Sequence, residues 1–217
     1  MLAKTLKLAM TTIVGGALSL TSLGADAPVP PLNRPVSVSL QNGSLAEYLL
    51  AIFKSGHLSG GIAVINDRCE DASDQFPEFN GNVKGAFEKL ATMGHQVHWL
   101  QAGDNLVVNN TKSPPSLLKV VVHEFRFSRN EPLSKATSDL LDTPEASAKI
   151  KELQLKAYGP ELGFAQMHRP GTPQDTVTLS DTTVLDALNK IAAGHAVWLY
   201  KESRCGENVI SLNWPVK

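Results

Sequence analysis

The sequence predicts an α+β protein made of two tandem βαβ-βαββ modules, the second carrying a helical insertion. Three observations carry that reading. One apolar stripe at helical spacing recurs in three segments, each opened by a capping residue. Short alternating or apolar runs flank those segments, as strands do. A Pro-Pro stretch near the middle divides the chain into two stretches with the same order of elements.

The helices come first because their pattern is the most regular. Ser44 is followed by Leu45, Tyr48, Leu49, Ile52 and Phe53. Asn82 is followed at the same spacing by Val83, Ala86, Phe87, Leu90 and Ala91, and Thr183 by Val184, Ala187, Leu188, Ile191 and Ala192. Each set is a single apolar stripe that must face a core. The Ser, Asn or Thr side chain can accept from an otherwise unpaired first-turn amide, and Ser44 with Glu47 spells a capping box. Gly56-His57, Gly94-His95 and Gly194-His195 follow the stripes, and glycine suits the left-handed position that ends a helix. A weaker fourth copy reads Leu133, Ala136, Thr137, Leu140 and Leu141, with Asn130 as its cap.

Strands are expected at 36–40 and 61–65 around the first helix, and at 76–79, 97–100 and 106–108 around the second. In the second half they are expected at 119–127, 163–167, 176–179, 196–200 and 209–212. Residues 143–158, with Pro144 at a helix start and Ala146, Ile150, Leu153 and Ala157 on one side, predict an extra helix, either a packing elaboration or a functional one. The organisation read from these signals is a signal peptide at 1–27, a Pro-rich leader at 28–35, a first module at 36–110, a linker at 111–116 and a second module at 117–217.

The leader assignment rests on Lys4 and Lys7, an uncharged run from Leu8 to Leu23, and an Ala25-Asp26-Ala27 cleavage pattern, with a cut after Gly24 as the alternative. It predicts a periplasmic or secreted protein with no transmembrane segment in the mature chain. The whole chain carries 20 Lys and Arg against 21 Asp and Glu. So even a balance argues against nucleic acid, which needs clustered cations. At 42% hydrophobic and 19% charged the composition is globular. The two cysteines, Cys69 and Cys205, lie in different modules. In an oxidising compartment they predict a disulfide joining the halves, with two buried thiols as the alternative.

Ser44-Leu45-Ala46-Glu47-Tyr48-Leu49-Leu50 and Asn82-Val83-Lys84-Gly85-Ala86-Phe87 resemble the helix starts of the short N-terminal domain shared by secretins and TonB-dependent receptors, here set in a small exported bacterial protein. That resemblance implies a duplicated fold of this class, a binding or assembly role in the cell envelope, a protein partner, and no catalytic residue to carry over.

A search for chemistry adds little. His57, His95, His98, His123, His168 and His195 have no local ligand cluster around them, and His95 and His98 would point apart on a strand. No G-x-S-x-G, cysteine nucleophile or phosphate loop is present. Asp67, Glu70, Asp71 and Asp74 form an acidic run, read as a solvated loop or a weak calcium hint. Trp99 and Trp198 follow the Gly-His stops at matching positions and are expected to pack on a shared face, in a core or as a ligand-facing pair. The expectation is a binding module with no catalytic residue, metal or cofactor, engaging an envelope protein through sheet edges or the inserted helix. A periplasmic enzyme or enzyme inhibitor is the alternative.

Overall fold

A computed structural model describes residues 29–66, 74–157, 175–192 and 196–215. It is a mixed α+β structure whose strands form three sheets. In chain order the elements are β1 (Pro35–Val38), α1 (Leu45–Ser55), β2 (Ser59–Asn66), β3 (Phe79–Asn82), α2 (Val83–Thr92), β4 (His98–Ala102) and β5 (Asn105–Asn109). There follow β6 (Val121–Ser128), α3 (Leu133–Leu141), α4 (Pro144–Glu152), β7 (Lys156–Ala157), β8 (Thr176–Thr183), α5 (Val184–Ala192), β9 (Val197–Ser203) and β10 (Val209–Asn213).

The helix starts form as their side chains dictate. Ser44 Oγ accepts from the Glu47 amide at 3.3 Å while Glu47 Oε2 accepts from the Ser44 amide at 2.7 Å, closing the capping box. Asn82 Oδ1 accepts from the Gly85 amide at 2.8 Å, and Thr183 Oγ1 from the Asp186 amide at 3.1 Å. Each cap contributes about 1 kcal/mol. Asn130 does not cap the fourth helix: α3 begins after Pro132, and the chain enters it through a turn in which Glu131 Oε1 accepts from the Ser128 amide.

The helix ends depart from expectation at one position. Gly94 is left-handed at φ +88, but Gly56 is not, with φ −83, and His57 takes the left-handed conformation at φ +49. Gly56 is needed for space instead. A Cβ there would meet Val36 Cγ1 at 3.1 Å and Val83 Cγ2 at 3.2 Å, so glycine lets β1 and α2 close on the end of α1. Arg34 Nη1 donates to the His57 carbonyl at 2.8 Å and helps hold the turn. Gly194 and His195 lie outside the described residues, as do His168 and the strand expected at 163–167.

The insertion is shorter than expected. Gln154 adopts φ +53 and breaks the helix just after Glu152, and Lys156–Ala157 then pair with β10 as strand β7. Ala146 is fully buried and Ile150 packs against the same core, so α4 covers the second half of the chain.

Strand pairing in the two halves follows one scheme. β1 and β3 pair antiparallel, as do β6 and β8. β2 runs parallel to β5, and β7 parallel to β10. β4 and β5 pair antiparallel, as do β9 and β10. The six-stranded sheet has the order β4-β5-β2-β9-β10-β7, so the halves meet where β2 lies parallel to β9.

That parallel joint fixes the architecture. Because β9 runs with β2, and β2 runs against β4, the second half is turned over relative to the first along the sheet. Its helices therefore lie on the opposite face. Ile62, Leu106, Val108, Val197 and Leu199 pack under α1 and α2 in one core. Ala63, Val107, Trp198, Tyr200 and Ile210 pack under α3, α4 and α5 in the other. β2 is covered on both sides, with Ser59 through Ala63 all buried, which is the environment of a central parallel strand.

Candidate functional site

The joint between β2 and β9 is closely fitted at Gly60 and Gly61. Gly61 lies opposite Trp198, and a Cβ added at Gly61 would fall 1.9 Å from Trp198 Cε2. The indole occupies the space a side chain would take. Gly60, at φ +123, brings β2 equally close to β5, since a Cβ there would meet the Leu106 carbonyl oxygen at 2.2 Å. Trp198 is 0% exposed, and its Nε1 donates to Asn189 Oδ1 on α5 at 3.0 Å. On the reverse face Ile62 lies opposite Leu199, which is 7% exposed and packed in the core beneath α1.

β4 repeats this arrangement without the neighbour. Trp99 packs on Phe87 of α2 with ring centroids 5.4 Å apart, as Trp198 packs on α5. Yet Trp99 is 36% exposed and Leu100 56% exposed, because among the described residues β4 ends the sheet and no strand or helix covers its outer side. Two large apolar side chains left 36% and 56% exposed on opposite faces of a terminal strand forgo only part of the about 1.5–3 kcal/mol that full burial contributes, yet that part is regained on docking. They mark β4 as the candidate interaction edge. At the other end of the sheet the pairing of β7 with β10 is described for Lys156 and Ala157, where the described residues stop.

Trp99 and Trp198 do not share a face. Trp99 lies opposite Val108 on the first core's face, whereas Trp198 lies in the second core. The turned-over second half is the reason: equal positions in the two halves point to opposite sides of one sheet.

The titratable groups fall into separate places. Glu202 is 3% exposed and holds two partners, with the Tyr200 hydroxyl donating to Oε2 at 2.6 Å and Arg204 Nε to Oε1 at 2.8 Å. Burial, and then the Glu202 hydrogen bond, push the Tyr200 hydroxyl well above its usual range. The carboxylate is thus neutralised and enclosed, and the group ties one end of β9 together. His123 Nδ1 lies 2.8 Å from Asp181 Oδ1 on the β6–β8 ladder, and donating a hydrogen bond to that carboxylate raises the His123 pKa. His95 stacks on Phe76, itself stacked on Tyr48, and lies 3.8 Å from Asp74. Among the described residues no three His, Cys, Asp or Glu side chains gather as a metal set. A cleft of about 150 Å³ lies between α1 and β9, lined by Leu50, Phe53, Lys54, His57, Leu58, Val197 and Pro215. It is too small for the usual ligand pocket and marks the seam between the halves.

Cys69, with Asp67, Glu70 and Asp71, lies outside the described residues. Cys205 sits half-buried in the turn between β9 and β10. No described helix is long and apolar enough to cross a membrane.

Compared with known protein families, characterised proteins and solved structures, the chain matches none.

Proposed function

We propose that this protein is a non-catalytic binding or assembly module of the bacterial cell envelope, and that it engages a protein partner by strand addition at β4. The observation that carries the reading is the contrast between equivalent strands: Trp198 and Leu199 are 0% and 7% exposed, whereas Trp99 and Leu100 are 36% and 56%. Edge backbone provides binding capacity without special side chains, so a site of this kind leaves no motif in the sequence. The repeated pairing scheme supports a duplicated domain of the secretin and TonB N-terminus class, in which binding rather than catalysis is the expected activity. The inserted helix is the weaker route to a partner, since Ala146 is buried and Glu145 Oε1 accepts from the His123 amide of β6. Ile150 of the same helix packs on the second core.

A proline scan of β4 tests the reading. Alternate amides of an edge strand point inward to β5 and outward to solvent. Proline at the outward set is expected to abolish retention of the envelope partner with thermal stability nearly unchanged, because no internal hydrogen bond is lost. Retention that survives proline at every position of β4, or turnover of a substrate abolished by one His, Asp or Glu substitution, would overturn it.

A further inference from the structure

The joint inside the chain describes what should sit on β4. β9 is the counterpart of β4, and it is covered by β2 along its edge and by α1 over its outer face. If Trp99 is matched to Trp198, the tryptophan of each strand that faces its own half's helices, that register places Gly61 of such a strand opposite Trp99 and Ile62 opposite Leu100. Resting on the strand-addition reading above, we infer that β4 accepts one strand running parallel to it, with a glycine opposite Trp99 and an aliphatic residue opposite Leu100, from a separate protein that roofs Leu100 with an apolar helix.

The chemistry of each element sets these requirements. A side chain opposite the indole is sterically excluded at the internal joint, where a Cβ would lie within 1.9–2.3 Å of three Trp198 ring atoms. Trp99 likewise packs on the helix of its own half, against the Phe87 ring of α2, on a strand whose outer edge is open among the described residues. Leu199 is buried because α1 lies over it, with Leu50 and Phe53 reaching Val197 at the seam. Among the described residues Leu100 has no such roof.

A second copy of this chain fits the requirement poorly. The helix corresponding to α1 in the second half is α3, and the α1 residues Leu50 and Lys54 at the seam correspond to Ser138 and Asp142. An apolar contact would become polar and a cation would become an anion. A distinct protein with an α1-β2-like surface is the occupant the geometry selects.

The probe is a fluorescent synthetic peptide with the sequence of residues 58–66 and a lysine tail for solubility, titrated against the mature protein by anisotropy. The comparison peptide carries Gly61→Val. The wild-type protein is expected to bind the glycine peptide at least about tenfold more tightly than the valine peptide, the scale of an overpacked contact. Trp99→Ala should bring the two peptides within about twofold, because removing the indole makes room for the valine. Leu100→Asp should weaken the glycine peptide at least about tenfold by placing a charge against the aliphatic residue. Melting curves of both variants verify that the fold is retained, as expected for residues this exposed.

Equal affinity for the two peptides, or a glycine preference unchanged in Trp99→Ala, overturns the inference while leaving an envelope partner found by the proline scan intact. Absence of both peptide binding and an envelope partner removes the underlying reading as well. Concentration-dependent self-association in sedimentation, abolished by Leu100→Asp, would assign the edge to a second copy and overturn the separate-protein assignment.

Discussion

Gly61→Ala probes the joint between the two halves with a single methyl group. The added Cβ would lie 1.9 and 2.0 Å from Trp198 Cε2 and Cζ2. Carbon atoms pack at about 3.5–4.0 Å, so either the indole retreats by more than an ångström or β2 and β9 separate. Trp198 has no room to retreat, being fully buried and hydrogen-bonded to Asn189. Overpacking costs about 1–3 kcal/mol, and disturbing the indole hydrogen bond adds about 1 kcal/mol. A loss of about 2–4 kcal/mol is expected in urea unfolding of the mature protein. Trp198→Leu alone should also destabilise, by leaving a cavity. The double variant should be less damaged than the sum by at least about 1 kcal/mol, since the new methyl enters the vacated space. A Gly61→Ala loss below about 1 kcal/mol, or additivity within about 0.5 kcal/mol, would show that the indole does not occupy the glycine's space.

Tyr200→Phe removes one of the two donors on buried Glu202 and should cost about 1–3 kcal/mol by thermal or urea unfolding, whereas removing a fully exposed tyrosine hydroxyl would cost little. The folded-state pKa of Tyr200 is raised, so the stability it contributes is full below about 10 and declines as pH rises beyond that value. Spectrophotometric titration should find this hydroxyl un-ionised until the protein unfolds. The His123 imidazole should titrate above its ordinary value of 6.5 by NMR, and Asp181→Asn should bring it down; because the folded pKa is raised, the pair favours the fold at acidic pH and that contribution fades as pH rises through the folded pKa. Asn66 and Ser203 are Cα partners at the same end of the β2–β9 joint, and Cys69 and Cys205 follow three and two positions later. Cys69 lies outside the described residues, and the expectation of a bond rests on the two cysteines of an exported chain pairing in an oxidising compartment. Intact mass of exported protein, before and after reduction with alkylation, should show residues 1–24 removed and both thiols protected until reduced; loss of the bond should cost up to about 4–5 kcal/mol.

Local chemistry was legible in the sequence wherever the deciding partners are sequence neighbours. The stripes after Ser44, Asn82 and Thr183 became α1, α2 and α5, and each cap bonds the amide that its spacing indicated. Where a distant partner decides, the pattern misled. Gly56 was expected to supply a left-handed turn, but Val36 and Val83 press on it and the turn falls on His57. The insertion was expected to remain helical to Tyr158, but β10 recruits Lys156 and Ala157 into the sheet.

The candidate site divides the same way. By itself the sequence placed Trp99 and Trp198 on strands that follow helices of the same stripe, five and four residues after Gly94 and Gly194. It could not determine that one would be covered and the other exposed. That depends on which strand lies alongside, and the parallel joining of β2 to β9 was decided by long-range packing: Gly61 admits the Trp198 indole, and helices cover β2 from both faces. Periodicity records which side chains a helix or strand turns toward a core. Only the tertiary structure determines whose core it is, and it leaves Trp99 and Leu100 of β4 partly in water where Trp198 and Leu199 of β9 are covered.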